Sequence, residues 1–244
     1  MCCAEKRRCH RIRGAPPPAP DAAFGSWQGA AVPAPMVGTT SVTCPACGQS
    51  RECQLVQSIN TATNPTARQR LLDGELNVLV CDCGRRTQLA ANVLFHDPDA
   101  DYFCQVCPSG EAAMQQAAEA FRGSGAAGTQ RIVPSLNALI EKVKLLDAGL
   151  EDWAIEMAKV LLLASTDEQD LDRVLLFDRV DHEARVLHWV LFDATGSAAR
   201  SVASPLAAYA KLASRTHGRP GIHELRIDRA WALEAVRTMI IGAN

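Results

Sequence analysis

Cys44-Pro45-Ala46-Cys47-Gly48 and, further along, Cys81-Asp82-Cys83-Gly84 are the residues of this chain best suited to chemistry. A Cys-x-x-Cys-Gly turn sets two sulfurs on one side of a bend, and its glycine lets the backbone fold closely around them. Four thiolates from two such turns are the donor set of a tetrahedral, structural zinc site. The first turn fits the pattern. The second is one residue short, so a bend at Asp82 and Gly84 has to bring its sulfurs to one ion. The expected ligands are Cys44, Cys47, Cys81 and Cys83.

Other residues compete for this role. Cys104 and Cys107 form a Cys-x-x-Cys of their own before Pro108, and either could replace a ligand of the shortened turn. Residues three apart on a strand face opposite ways, so one of them also reads as a buried thiol. Cys53 reads as a small core residue on a strand face. A dithiol redox role for Cys44 and Cys47 would call for a helix N-terminus to lower a thiol pKa, whereas this pair sits between strands. Cys2, Cys3, Cys9 and His10 lack a partner pair and a segment able to support a site. His96-Asp97 offers a zinc ligand or a proton carrier. The favoured reading is a turn, with Asp97-Pro98-Asp99 capping the backbone and His96 packing nearby. His188 lies in an apolar strand and reads as a satisfied core histidine, while His182, His217 and His223 are scattered. No phosphate loop, nucleophile elbow or paired-acid signature is present.

The elements that must position these residues follow from local signals. Ser41–Thr43 enters the first turn and Glu52–Ser58 leaves it, both extended. Asn64 and Pro65 open a short helix that Asp73-Gly74 stops. Leu76–Val80 and Thr87–Ala91 flank the second turn, and Tyr102–Val106 is a further strand. Glu111–Arg122 is helical, followed by a flexible Gly- and Ala-rich break over Gly123–Gly128. Ser135 caps a helix carrying Leu136, Leu139, Ile140, Val143 and Leu146 on one face, and Gly149 ends it. A second helix, from Asp152 to Ala164, is expected to bury Trp153, Met157, Val160, Leu161 and Ala164, making an antiparallel hairpin. After Thr166-Asp167-Glu168 the period changes to strands at Arg173–Asp178, Ala184–Asp193 and Ala198–Ala203. A helix from Ser204-Pro205, a strand at His223–Ile227 and a last helix capped by Asp228 complete an α+β pattern.

The chain therefore divides, as an expectation, into a leader over residues 1–35, a zinc-ribbon-like β module over 36–110, a helix and linker over 111–133, and an α+β unit over 134–244. The leader reads as disordered, with a basic cluster and Pro16-Pro17-Pro18, and the true start could be Met36. Of 244 residues, 48% are apolar and 21% charged, which is ordinary for a soluble globular protein. No apolar run approaches the length of a membrane span. With no secretory signal, ten cysteines point to a reducing, cytoplasmic setting rather than a disulfide scaffold. The net charge of −2 hides a basic leader; residues 36–244 hold 20 Lys plus Arg against 25 Asp plus Glu. The cysteine module itself has five basic and seven acidic side chains, so nucleic acid is not the expected partner.

Ser41-Val42-Thr43-Cys44-Pro45-Ala46-Cys47-Gly48 resembles the opening of the CpXC domain, a bacterial and archaeal domain named for paired Cys-Pro-x-Cys turns. The likeness continues through Ser58-Ile59-Asn60, Leu71–Asn77, the second cysteine turn and Leu94-Phe95-His96-Asp97. It covers residues 41–110, and Arg131–Pro134 and Ala148–Asp152 are similar to the stretch after the domain in some members. The resemblance implies that Cys44, Cys47, Cys81 and Cys83 act together, but it carries no established reaction. The chain departs from the pattern at the second turn, with Asp82 where Pro-x is usual. Together these readings give a zinc protein in which the metal is structural and the function is binding or regulation through the module's exposed face or the second domain, with an unknown protein as the candidate partner. The alternatives are a zinc enzyme with an open site near His96, or a nucleic-acid-binding ribbon.

Overall fold

The computed structural model describes residues 36–241 except 126, 166–172, 194–198, 216–218 and 222. The leader with Cys2, Cys3, Cys9 and His10, the change of period at Thr166-Asp167-Glu168, and His217 lie outside the described residues. The fold is α+β, as the sequence pattern indicates.

Two short antiparallel hairpins come first. β1 (Val37–Thr43) pairs with β2 (Ser50–Val56), with Thr43 opposite Ser50 next to the first cysteine turn. β4 (Val78–Val80) and β5 (Arg86–Gln88) flank the second turn in the same way, after β3 (Ser58–Asn60) and α1 (Pro65–Leu72). Asn64 caps α1 by accepting the Ala67 amide at 3.0 Å, as its sequence signal indicates. Among the described residues neither hairpin has a third strand, and two-stranded pairs are marginal in water.

A four-stranded mixed sheet, in the order β3-β6-β7-β8, supplies the first core. β6 (Val93–Asp97) and β7 (Tyr102–Val106) are antiparallel, and each takes a parallel strand on its outer side. One face presents Ile59, Phe95, Cys104 and Val106 to Ala67 and Leu71 of α1 and to Leu139 and Val143 of α3 (Leu136–Asp147). On the other side, α2 (Glu111–Ser124) packs Met114 and Ala118 against Ile132 and Cys107. The outer strand β8 (Thr129–Val133) lies where the sequence pattern indicates a linker. Its backbone bonds go to β7 and, through Ile132 N–H, to the Leu225 carbonyl at 2.8 Å.

The second core joins α4 (Asp152–Ala164) to β9 (Leu175–Asp181), β10 (Val186–Phe192), β11 (Ala199–Pro205), α5 (Leu206–Ala213) and α6 (Arg229–Ile241). Trp153, Met157, Val160 and Leu163 meet Phe177, Leu187, Trp189 and Leu191 there. Leu161 and Ala164 point outward, contrary to expectation: α4 is apolar around most of its circumference, so its sequence does not set its phase. His223–Ile227 is not a strand; its described residues follow β8 as an extended stretch. His188 is half-buried at a register shift in β10, and its Nε2 has no partner among the described residues, so it is not a satisfied core histidine. Ser135 and Asp228 cap their helices through bonds to the Ala138 and Trp231 amides. Gly149 closes α3, with its own amide on the Leu146 carbonyl and that of Leu150 on Leu145.

Five buried ionic side chains come together with the largely buried Asp152. They form an unbroken alternating series: Arg131, Asp152, Lys142, Glu156, Lys159, Glu141. Arg131 grips Asp152 with two bonds, of 2.7 and 3.1 Å, and Lys142 reaches the same carboxylate at 2.9 Å. Lys142 lies 3.8 Å from Glu156, which Lys159 contacts at 2.9 Å. Lys159 then reaches Glu141 at 2.7 Å. The ends of the series are satisfied by backbone: Arg131 donates to the Glu224 carbonyl at 3.0 Å, and Glu141 accepts the Phe177 amide at 2.5 Å. Burial acts to raise the Asp152 pKa, but the charges of Lys142 and Arg131 outweigh it and hold the group at about 2.

Removing one member leaves its neighbours buried and unpaired. Asp152→Asn should cost about 3–5 kcal/mol by urea unfolding. Loss of the exposed pair Arg86–Glu75, at 2.5 Å, should cost less than about 1 kcal/mol. Because the folded pKa of Asp152 lies below its unfolded value of about 4, its contribution is complete above that value. That contribution, about 2 kcal/mol, disappears as the pH falls through about 2. The same titration on Asp152→Asn should lack this component.

Candidate metal centre

The tips of the two hairpins are built alike. In the first, the Cys44 amide donates across the tip to the Gln49 carbonyl at 2.9 Å, and Gly48 donates back to Cys44 at 2.9 Å. In the second, the Cys81 amide donates to Arg85 at 2.9 Å and Gly84 donates to Cys81 at 2.8 Å. Gly48 and Gly84 both take positive φ, +72° and +83°, where a side chain is strained. The missing residue in the second tip thus shortens the return to the glycine from four residues to three. It leaves the first cysteine in the same place.

The tips face one another. All four sulfurs lie within 4.8 Å of each other, and among the described residues this group consists of Cys44, Cys47, Cys81 and Cys83. Cys44 and Cys81 are buried, Cys47 and Cys83 exposed. Each buried sulfur meets the exposed one of the opposite tip: Cys44 to Cys83 at 3.7 Å, Cys47 to Cys81 at 3.5 Å. A tetrahedron with metal–sulfur bonds of about 2.3 Å has edges of about 3.8 Å, so these separations fit a single ion. Amides of Ala46 and Cys47 donate to the Cys44 sulfur and bring its pKa down to about 6. At Cys47 the Gln49 amide acts to lower the pKa, but Cys81 and the other crowded thiols push it up to about 12. One thiol of the group ionises readily and another resists. A cation at the centre relieves that repulsion.

The competing residues lie elsewhere. Cys104 is wholly buried in the first core, where burial raises its pKa to about 12, and Cys107 is buried beneath α2. Cys53 is half-buried on β2. His96 and Asp97 end β6 and lead into the turn over residues 98–101, as the sequence pattern indicates. His96 stacks on Phe103 with ring centroids 4.1 Å apart and lies 3.3 Å from the Asn60 amide, while Asp97 accepts the Ala100 amide at 3.4 Å.

Two positioning features are not apparent from the sequence pattern. Asn77, buried at φ +54°, pairs its side chain with both backbone groups of Val56, at 2.8 and 2.9 Å. It thereby substitutes for a strand between β2 and the second hairpin. Its left-handed backbone is a conformation that asparagine tolerates, and that is the available signal. The other feature is the ion pair between Arg51 of β2 and Asp82, the residue between the second pair of cysteines. In metal-stripped, reduced protein, a thiol alkylating reagent should modify the four cysteines of the hairpin tips first. Cys104 and Cys107 should label only with global unfolding, as read by peptide mass spectrometry.

Comparison with known proteins identifies a family. Residues 42–159 match the family described as CpXC protein, a span that runs from β1 into α4 and includes both cysteine turns, Arg131–Pro134 and Ala148–Asp152. No curated protein and no solved structure matches the chain. Residues 42–159, just under half of the chain, thus match the CpXC family.

Proposed function

We propose that Cys44, Cys47, Cys81 and Cys83 hold one zinc ion in a closed structural site, and that the hairpin module so fastened is a zinc-ribbon-like binding or regulatory element. The observation that carries this reading is the convergence of four sulfurs from two separate hairpin tips within 4.8 Å. Four sulfur donors in tetrahedral reach favour zinc or iron over hard cations. The role is structural because each tip ends a two-stranded pair that lacks a core of its own. Metal binding supplies folding free energy where apolar area does not. Zinc, when bound, cross-links the tips and neutralises two of the four thiolate charges; the chain positions the sulfurs and leaves Cys47 and Cys83 facing solvent.

The partner in this reading is a protein. An excess of acidic side chains over residues 36–110 disfavours phosphate, which a basic surface would neutralise. The seven described cysteines are all free, in keeping with a reducing, cytoplasmic setting. No helix among the described residues is long and apolar enough to cross a membrane.

Purified protein should carry about one equivalent of zinc by elemental analysis. Cobalt exchange should give the charge-transfer bands of a four-sulfur tetrahedral site. Cys81→Ser should lose most of the metal, while Cys104→Ala and Cys107→Ala should keep it. Less than about half an equivalent of metal, with hairpin amide protection unchanged in chelator, would overturn the reading.

A further inference from the structure

The shortened tip raises a question of positioning. Between Cys81 and Cys83 stands Asp82, largely exposed, and its carboxylate is engaged by the guanidinium of Arg51. Arg51 lies on β2 opposite Val42, at the base of the first tip, and also donates to the Gln49 side chain at 3.1 Å. Gln49 in turn receives the Cys44 amide at its carbonyl. One guanidinium therefore spans both tips. Its pKa is raised above the usual arginine value, by Asp82 first and by the Cys81 sulfur as well.

We propose that Arg51 is a positioning residue of the metal centre: through Asp82 it latches the shortened tip to the first hairpin and sets a fixed positive charge beside the thiolates. The inference rests on the proposed zinc site. Four thiolates around a divalent cation keep two negative charges, and Asp82 adds another. Arg86 on β5 is engaged with Glu75, and Arg85 contributes its backbone carbonyl to the second tip. As a folding contact, an exposed pair of this kind contributes little. Beside a metal it acts differently, since groups that orient the ligands typically change affinity about 10- to 100-fold. The effect should therefore appear in metal retention rather than in the stability of the rest of the fold.

The test compares wild type, Arg51→Ala, Arg51→Lys, Asp82→Ala and the double variant Arg51→Ala/Asp82→Ala, each loaded with zinc. Zinc content is measured first, then the rate of release to a chromogenic chelator at low and high salt, and the cobalt spectrum. Arg51→Ala should release zinc about 10-fold faster than wild type, with Arg51→Lys recovering part of the loss. In the Asp82→Ala background the same substitution should have a smaller effect. High salt should narrow the gap between wild type and Arg51→Ala. Wild-type release from Arg51→Ala, or an equal effect with and without Asp82, overturns the latch while leaving the zinc site standing. Absence of metal from wild type overturns both.

Discussion

An ionised side chain taken out of water is unfavourable unless opposite charge and hydrogen bonds meet it, and five buried groups with the largely buried Asp152 face that constraint here. Their arrangement satisfies the constraint in series rather than in isolated pairs. Asp152 is shared by Arg131 and Lys142, and Glu156 stands between Lys142 and Lys159. Contacts of Lys142 with Asp152 and of Glu141 with Lys159 tie α3 to α4 at two points. Arg131 adds β8 to the same arrangement, on the face of the sheet that carries Phe95 and Cys104. Purely apolar surfaces would hold these elements together without setting the register so sharply.

The same six residues explain how the family segment relates to the C-terminal elements. All six fall within residues 42–159, and Lys159 is the last. Three of the backbone groups that complete the series lie beyond that limit: the Phe177 amide and the carbonyls of Glu224 and Ile227. The C-terminal elements thus close the polar interior of the family segment, besides building a core of their own. The hairpin module has no comparable interior. Its strands are held by backbone pairing, by the side chain of Asn77 standing in for a strand, and by what the four thiols can bind.

Features set within a few residues were legible in the sequence. The cysteine turns with Gly48 and Gly84, the caps at Asn64, Ser135 and Asp228, and the close of α3 at Gly149 depend on neighbours at most five positions away. Features set by distant partners were not. β8 has polar residues in its first three positions and follows a glycine-rich stretch, so nothing local marks it as a strand; parallel pairing with β7 makes it one. Glu141, Lys142, Glu156 and Lys159 have the spacing of ordinary charged helix surface, and only packing reveals that they are buried. Leu161 and Leu163 could not be sorted by periodicity, because every side of α4 offers apolar residues.

The metal centre shows both kinds of legibility. Its sulfurs are local signals, since each pair occupies one tight turn. The groups that orient them are not: Arg51 and Asp82 are 31 positions apart. The resemblance to the CpXC domain implies a proline in this part of the second turn, and proline stiffens a turn by fixing φ near −65°. Asp82 imposes no such restriction, and the turn is also a residue shorter. Stiffness lost from the covalent backbone can return through a charge pair anchored on another strand, provided that strand is itself held in place. β2 is, through seven register pairs with β1 and the Asn77 contacts at Val56. Asp82 and Arg51 therefore act as one unit in how this centre is built, an ion pair holding the short turn in place.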